Sequence, residues 1–311
     1  VCDGADIVVN MGSPRFNLKV EQAALESHAH YVDIGLGRPE EWHYPRELED
    51  PAISEQWREA GLTALKSIGL SPGITNMLGK YAADRLDTVH DMVVRGFSDA
   101  EMVGDVPFWS AQQFALDQLT VPRALIDGIM QEVPWGGAEE IYAFPNLTEA
   151  FPHLATNEWK CAYISHPETN YLSQTIGKGL KNCDMKWSVQ DYAAGKVLRE
   201  RGLLSQEPIM VKGVEVAPVD VLLALSPPTL FITDYQREIE NGSLCDYEIF
   251  VLDTTGEREG RKERQIRWFY MSARQATEII PGATATSYTT ATPPAVAALL
   301  LGKDEIRSRG M

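Results

Sequence analysis

The chain opens on an apolar, β-branched run, Ala5-Asp6-Ile7-Val8-Val9-Asn10, of the kind that fills a buried parallel strand. Gly12-Ser13-Pro14 stops it. From Leu18 to Ser27 the apolar positions Leu18, Val20, Ala23, Ala24 and Leu25 alternate with Glu21 and Glu26, the spacing of an amphipathic helix, and His30-Tyr31-Val32-Asp33-Ile34 predicts a second strand. This is the size of one βαβ unit. A helix is predicted over Glu55 to Leu65, after which Ala64 to Leu70 leads into Ser71-Pro72-Gly73-Ile74-Thr75-Asn76, turn chemistry that feeds another helix over Met77 to Leu86.

Beyond Thr88 the texture changes. Strands are predicted at Val89 to Gly96, Tyr142 to Phe144, Cys161 to Ser165, Cys183 to Val189, Tyr247 to Leu252 and Gln265 to Met271, with prolines in the connections, so the sheet should be mixed or antiparallel. Helices are expected at Ala111 to Leu119, and at Val189 to Arg201 and Val219 to Ala224, the latter two covering one face of that sheet. Glu257 to Glu263 reads as a solvated hairpin tip. At the end, Thr289 to Pro294 predicts a hydroxyl cap with proline at the helix start, followed by a helix so apolar over Ala295 to Leu301 that it should be buried. The pattern divides the chain into 1–87, an α/β unit, 88–285, an α+β unit, and 286–311, a closing helix.

Charge narrows the partners. With 28 Lys and Arg against 44 Asp and Glu the net charge is −16, which repels phosphate backbones and anionic headgroups, so neither nucleic acid nor a membrane surface is expected. No apolar stretch reaches the roughly 18 to 20 residues of a membrane span, and no secretory signal opens the chain, which predicts a soluble, cytoplasmic protein. Cys2, Cys161, Cys183 and Cys245 are scattered singly, as are the six histidines, so no metal site is expected.

A βαβ unit suggests nucleotide binding, yet no Gly-x-Gly-x-x-Gly follows the first strand, and neither a Gly-x-Ser-x-Gly elbow nor a phosphate loop with Gly-Lys-Ser/Thr is present. Gly35-x-Gly37 and Gly177-x-Gly179 lack a third spaced glycine. Hydrolase and kinase readings lose their main support.

Several landmarks nevertheless occur in a telling order. Ala5 to Asn10 with Pro14 and Asn17-Leu18, then Tyr31-Val32-Asp33, Gly69 to Asn76, Trp109-Ser110, Asp127-Gly128 before Val133-Pro134, His166-Pro167-Glu168, and Thr292-Pro293-Pro294-Ala295 with Gly310 resemble the saccharopine dehydrogenase/reductase family, including its lysine 6-dehydrogenase and carboxynorspermidine dehydrogenase members. Ser71 departs from the Asp common there. The resemblance implies an α/β fold with a Rossmann-like parallel sheet, N-terminally incomplete because the family's glycine-rich segment would precede Val1, plus an α+β substrate domain. It implies NAD or NADP as cofactor, an amino acid or polyamine conjugate as substrate, amine/imine interconversion as the reaction, a homodimer, and a closing helix that returns to the cofactor domain. A non-catalytic scaffold or small-molecule sensor of the same fold is the other reading.

The C-terminal ends of parallel strands face a ligand crevice, which places Asn10, Gly12, Ser13 and Pro14 along the dinucleotide. Asn10 is equally suited to close its strand on local backbone. Pro72, Gly73 and Asn76 join the cofactor set, since glycine allows close approach and the new helix offers backbone N–H groups; a purely structural turn is the rival. Asp33 is placed near the nicotinamide or the substrate amine, with a local cap as its alternative. Trp109 and Ser110 are candidates to wall the pocket, and Arg95, Arg123 and Arg237 to hold a substrate carboxylate through the planar guanidinium fork.

Overall fold

The computed structural model describes residues 2–35, 50–102, 110–142, 160–188, 192–228 and 230–311. Trp109, and Ala143 and Phe144 of one predicted strand, lie outside them.

Strand β1 (Ile7–Asn10), helix α1 (Asn17–Glu26) and strand β2 (His30–Asp33) form the predicted βαβ unit, and β3 (Ala64–Leu65) adds a third parallel strand in the order β1-β2-β3. The register pairs Ile7 with His30 and Asn10 with Asp33. Alternation along β2 splits the burial: Tyr31 turns into a cluster with Ala24, Ala29, Trp57, Leu62 and Ala64, while Val32 turns the opposite way onto Ala297 and Leu301. Helix α2 (Pro51–Glu59) begins earlier than expected, because Asp50 accepts the Ala52 N–H and Pro51 takes the first helical position, where its missing donor costs nothing. That shift frees Leu62 and Ala64 for the core.

Helix α3 (Ile74–Ala83) leads into the 15-residue strand β4 (Thr88–Met102), the axis of an eight-stranded mixed sheet. Its other members are β5 (Arg123–Ile126), β6 (Ile129–Glu132), β7 (Glu140–Ile141), β8 (Lys160–Tyr163), β9 (Asn182–Ser188), β12 (Leu244–Arg258) and β13 (Arg261–Ser272). β4 runs parallel to β9 and antiparallel to β12; β12 turns back into β13 at Glu259-Gly260, inside the predicted hairpin tip. One face of the sheet presents Met92, Val94, Met185, Phe250 and Leu252 to Leu172 and Ala83 of the covering helices. The other presents Phe97, Cys161, Ile249 and Val251.

The helices on the first face are α3, α5 (Glu168–Thr175), α9 (Ala273–Ile279) and α10 (Ala285–Gly302). The two expected there sit elsewhere: α6 (Tyr192–Glu200) and α7 (Pro218–Leu225) flank α4 (Ala111–Leu119) around the fully buried Leu204. A small hairpin, β10 (Ile209–Val211) with β11 (Val214–Val216), separates α6 from α7, and α8 (Ile232–Glu240) precedes β12.

The closing helix also corrects the expectation. Its cap is Thr284, which exchanges hydrogen bonds with Ser287, so Pro293 and Pro294 fall inside the helix. The hydroxyls read as a cap bond backward instead, Thr289 Oγ1 to the Ala285 carbonyl at 2.8 Å and Thr292 Oγ1 to that of Tyr288 at 2.7 Å. Burial is a stripe rather than all-round: Ala297 and Leu301 are covered, whereas Leu299 is 63% exposed. This helix packs against β1 and β2 as well as β12. No described helix is long and apolar enough to cross a membrane.

Candidate functional site

The ends of β1 and β2 are tied by a buried polar network. The Asn10 amide donates to Asn17 Oδ1 at 2.8 Å and to the Tyr31 hydroxyl at 3.1 Å, and Tyr31 donates to Asp33 Oδ2 at 3.0 Å. Asp33 is fully buried; its other oxygen accepts the Ser67 N–H at 2.7 Å. Asn10 Oδ1 accepts the Gly12 N–H at 3.1 Å. Thus Asn10 closes its own strand and reaches across to α1 and β2 at once. Gly12 and Ser13 are exposed beside it, Pro14 is half-buried, and a side chain at Gly35 would meet nothing within 4 Å.

Burial pushes the Asp33 carboxyl up to about 7 despite the hydrogen bonds from Ser67 and Tyr31 and the charge of Lys66. A folded-state value above the unfolded one favours the native state most at low pH, and this contribution fades as pH rises toward 7. Between pH 5 and 7 Asp33 therefore removes about 1.4 kcal/mol of stability per pH unit. D33N is expected to flatten the fall of the melting temperature with pH over that range; parallel profiles for the two proteins would refute this origin.

The turn before α3 supplies the second wall. Ser71-Pro72 is a cis peptide, Gly69 N–H donates to the Pro72 carbonyl at 2.9 Å, and Ile74 N–H donates to the Gly69 carbonyl at 3.0 Å. Gly73, at φ +132°, lies against the Gly69 backbone, and its N–H donates to Asn76 Oδ1 at 3.1 Å. Asn76 is thus the helix-capping residue of the motif. Gly69 in turn sits against the Ile34 carbonyl and the Thr290 methyl, so the end of β2, the turn and α10 converge.

Glu168, fully buried at the start of α5, ties this turn to the larger sheet. One of its oxygens accepts from the Ser71 and Thr75 hydroxyls, and the other pairs with His166 Nδ1 at 2.6 Å. The His166 ring lies 5.2 Å from that of Trp187 on β9, whose indole N–H donates to Ser98 Oγ on β4 at 2.9 Å. Opposite Ser98 in the ladder is Glu248 on β12, which accepts the Thr286 hydroxyl of α10. A continuous polar wall thus runs from Ser71 to α10. It can orient a ligand's polar groups, and His166 beside Glu168 can hold or release a proton.

The structure brings Asn10, Asp33, Pro72, Gly73 and Asn76 to one junction. It does not bring the arginines there. Arg95 lies on the opposite sheet face, where its guanidinium meets Glu140 and Asp184. Arg123 opens β5 across from Glu132, and Arg237 is exposed on α8 with Asp234 and Glu238. Ser110 is exposed and receives the Gln113 N–H at the start of α4. Sequence reasoning missed Asn17, Tyr31, the His166–Glu168 pair as chemistry, and Glu248. The last left a signal: an acid at the same strand register as Phe250 and Leu252 belongs to a buried face. Among the described residues no group of three or more His, Cys, Asp or Glu could hold a metal ion.

Comparison with known proteins gives this junction a context. The chain is 24% identical over 255 residues to a carboxynorspermidine synthase of Vibrio cholerae, covering 74% of this chain but only 56% of that protein. It is 23% identical to the carboxynorspermidine synthase of Vibrio alginolyticus, covering 98% of this chain and 71% of the relative. The carboxyaminopropylagmatine dehydrogenase of Synechocystis sp. is likewise 23% identical, with 99% and 74% covered. Residues 69–311, from the Gly69 turn through α10, match the model of the saccharopine dehydrogenase C-terminal domain, and the chain belongs to the saccharopine dehydrogenase family.

Proposed function

We propose that the protein is an NAD(P)-dependent oxidoreductase that interconverts an amine and an imine on an amino acid or a polyamine conjugate. The observation that carries this reading is the meeting of the β1 and β2 ends, at Asn10 and Asp33, with the Gly69–Gly73 turn and the His166–Glu168 pair. The dehydrogenase and synthase names of the relatives support the same chemistry.

The residues fit the nicotinamide half of a dinucleotide. Gly12 and Gly35 leave backbone accessible just beyond two parallel strands, the place where such sheets receive ligands. Gly12, Ser13 and Pro14 would hold it from β1, with Asn10 fixing the strand end beneath them, and the Pro72–Asn76 turn from the other side. When bound, it supplies or accepts the hydride. The chain's own part is to align the reacting carbon, to exclude water by the Trp187 and Phe250 rings, and to hold a proton at His166, whose Nδ1 is fixed by Glu168. In the reductive direction the nitrogen takes up a proton as its carbon receives hydride, and an imidazolium oriented by a buried carboxylate suits that step.

The test is dinucleotide binding by the full-length protein, followed through fluorescence of NADH and NADPH, together with amine-dependent reduction of NAD+ or NADP+. Binding of either nucleotide with amine-dependent turnover is expected. A folded protein that binds neither would overturn the reading.

A further inference from the structure

Two acids on the helix-facing side of β12 take no part in the scheme above. Asp246 accepts the Ala285 N–H at the start of α10, at 3.1 Å to its nearer oxygen, and so caps that helix. Glu248, only 5% exposed, accepts the Thr286 hydroxyl at 2.7 Å through Oε1, but its Oε2 is buried and receives no hydrogen bond. Neither acid enters an ion pair among the described residues. Around Glu248 stand Asp246 on its own strand, Ser98 across on β4, Met271 across on β13, and Thr286 on α10. None carries a positive charge. Burial pushes Glu248 up to about 8 and Asp246 to about 6.

Neither protonation state matches these surroundings. Among the described residues an ionised Glu248 has neither a counter-charge nor a donor to Oε2, and a neutral one protonated there has no acceptor for its O–H. A ligand group that brings both an N–H and a positive charge answers both deficits. The position adjoins the polar wall of the candidate site, because Ser98, opposite Glu248, also holds the Trp187 indole, and Trp187 leans on His166. A multidentate metal ion suits it less, as among the described residues no third ligating side chain joins the acids.

We propose that Glu248 is a specificity-determining residue whose Oε2 receives an alkylammonium group of the substrate, remote from the carbon that exchanges hydride. The assignment rests on the functional reading above and adds to it a second cationic nitrogen and the residue that recognises it.

The experiment titrates the full-length protein by calorimetry with 1,4-diaminobutane and with 1,4-butanediol, its neutral counterpart, without dinucleotide. Wild type is expected to bind the diamine at least about tenfold more tightly than the diol, a gap expected of a charge-assisted hydrogen bond. E248Q keeps the shape and the acceptor for Thr286, and should lose about tenfold in diamine affinity while diol binding is unchanged. E248D, which keeps the charge but shortens the reach, should fall between; it decides the matter if circular dichroism shows E248Q unfolded. In turnover, E248Q should raise KM for the amine far more than it lowers kcat. Equal diamine binding by wild type and a folded E248Q, or no preference of wild type for diamine over diol, overturns the assignment. NADPH binding measured alongside separates the failures: if it persists, only the role of Glu248 falls; if wild type binds no dinucleotide, the functional reading falls.

Discussion

Replacing Gly73 with alanine is expected to lower the melting temperature by about 6 °C, a loss of roughly 4 kcal/mol. Two penalties combine there. The residue holds φ at +132°, which a side chain rarely adopts, and an added Cβ would run into the Gly69 carbonyl oxygen and come within 2.5 Å of the Gly69 nitrogen. Both obstacles are backbone, so no rotamer change relieves them. The strand-to-helix turn would have to open, and with it the hydrogen bond from Ile74 to Gly69 and the seat of Gly69 against Ile34 and Thr290. Gly61 is the control: its φ is +72° but nothing lies within 4 Å of a new Cβ, so G61A should cost only about 1 kcal/mol. Thermal denaturation of the two variants measures the difference. Equal, small losses would mean that the turn is not the close-packed joint described above.

Much of this joint was legible from residue order. Turn chemistry at Ser71-Pro72-Gly73 and the β-branched runs before Asn10 and Asp33 are local signals that placed both strands, though only β2 is buried over Tyr31, Val32 and Asp33; Val9 of β1, expected in a buried strand, is 39% exposed. What was not legible depends on partners far along the chain. Asn17 is a polar residue in the first turn of α1, and only the fold reveals that it joins Asn10 to the Asp33 end of β2. Arg95 carries the chemistry of a carboxylate clamp, but its strand register points it away from the helices, toward Glu140 and Asp184. Pro293-Pro294 looked like a helix start because proline is favoured there. The capping pair Thr284 and Ser287 lay upstream, among residues with no apolar periodicity to mark a helix. The His166–Glu168 pair was visible as a landmark; its chemistry depends on Ser71 and Thr75, nearly a hundred positions earlier.

That long-range dependence makes Glu168 the most sensitive side chain in the candidate site. E168A should destabilise the protein by about 3 to 5 kcal/mol, since it strands the Ser71 and Thr75 hydroxyls and His166 and leaves a buried void. E168Q keeps the shape and can still accept from both hydroxyls while donating to a neutral His166, so its stability loss should be smaller and pH-dependent. Burial works against both charges of the pair. Even so, the carboxylate of Glu168, and then that of Asp117, holds His166 above its ordinary range, while His166 and the hydroxyl donors hold Glu168 below its own. For the histidine, stabilisation is complete below its unfolded value of 6.5 and is lost as pH rises through the higher folded value. For the glutamate it is complete above the unfolded value of 4.5 and is lost as pH falls through the lower folded one. The gap in melting temperature between wild type and E168Q should therefore be widest between pH 4.5 and 6.5 and should narrow on either side. A gap independent of pH would mean that the two groups meet as neutral hydrogen-bonding partners, and His166 would then lack the poised proton that the amine chemistry assigns to it.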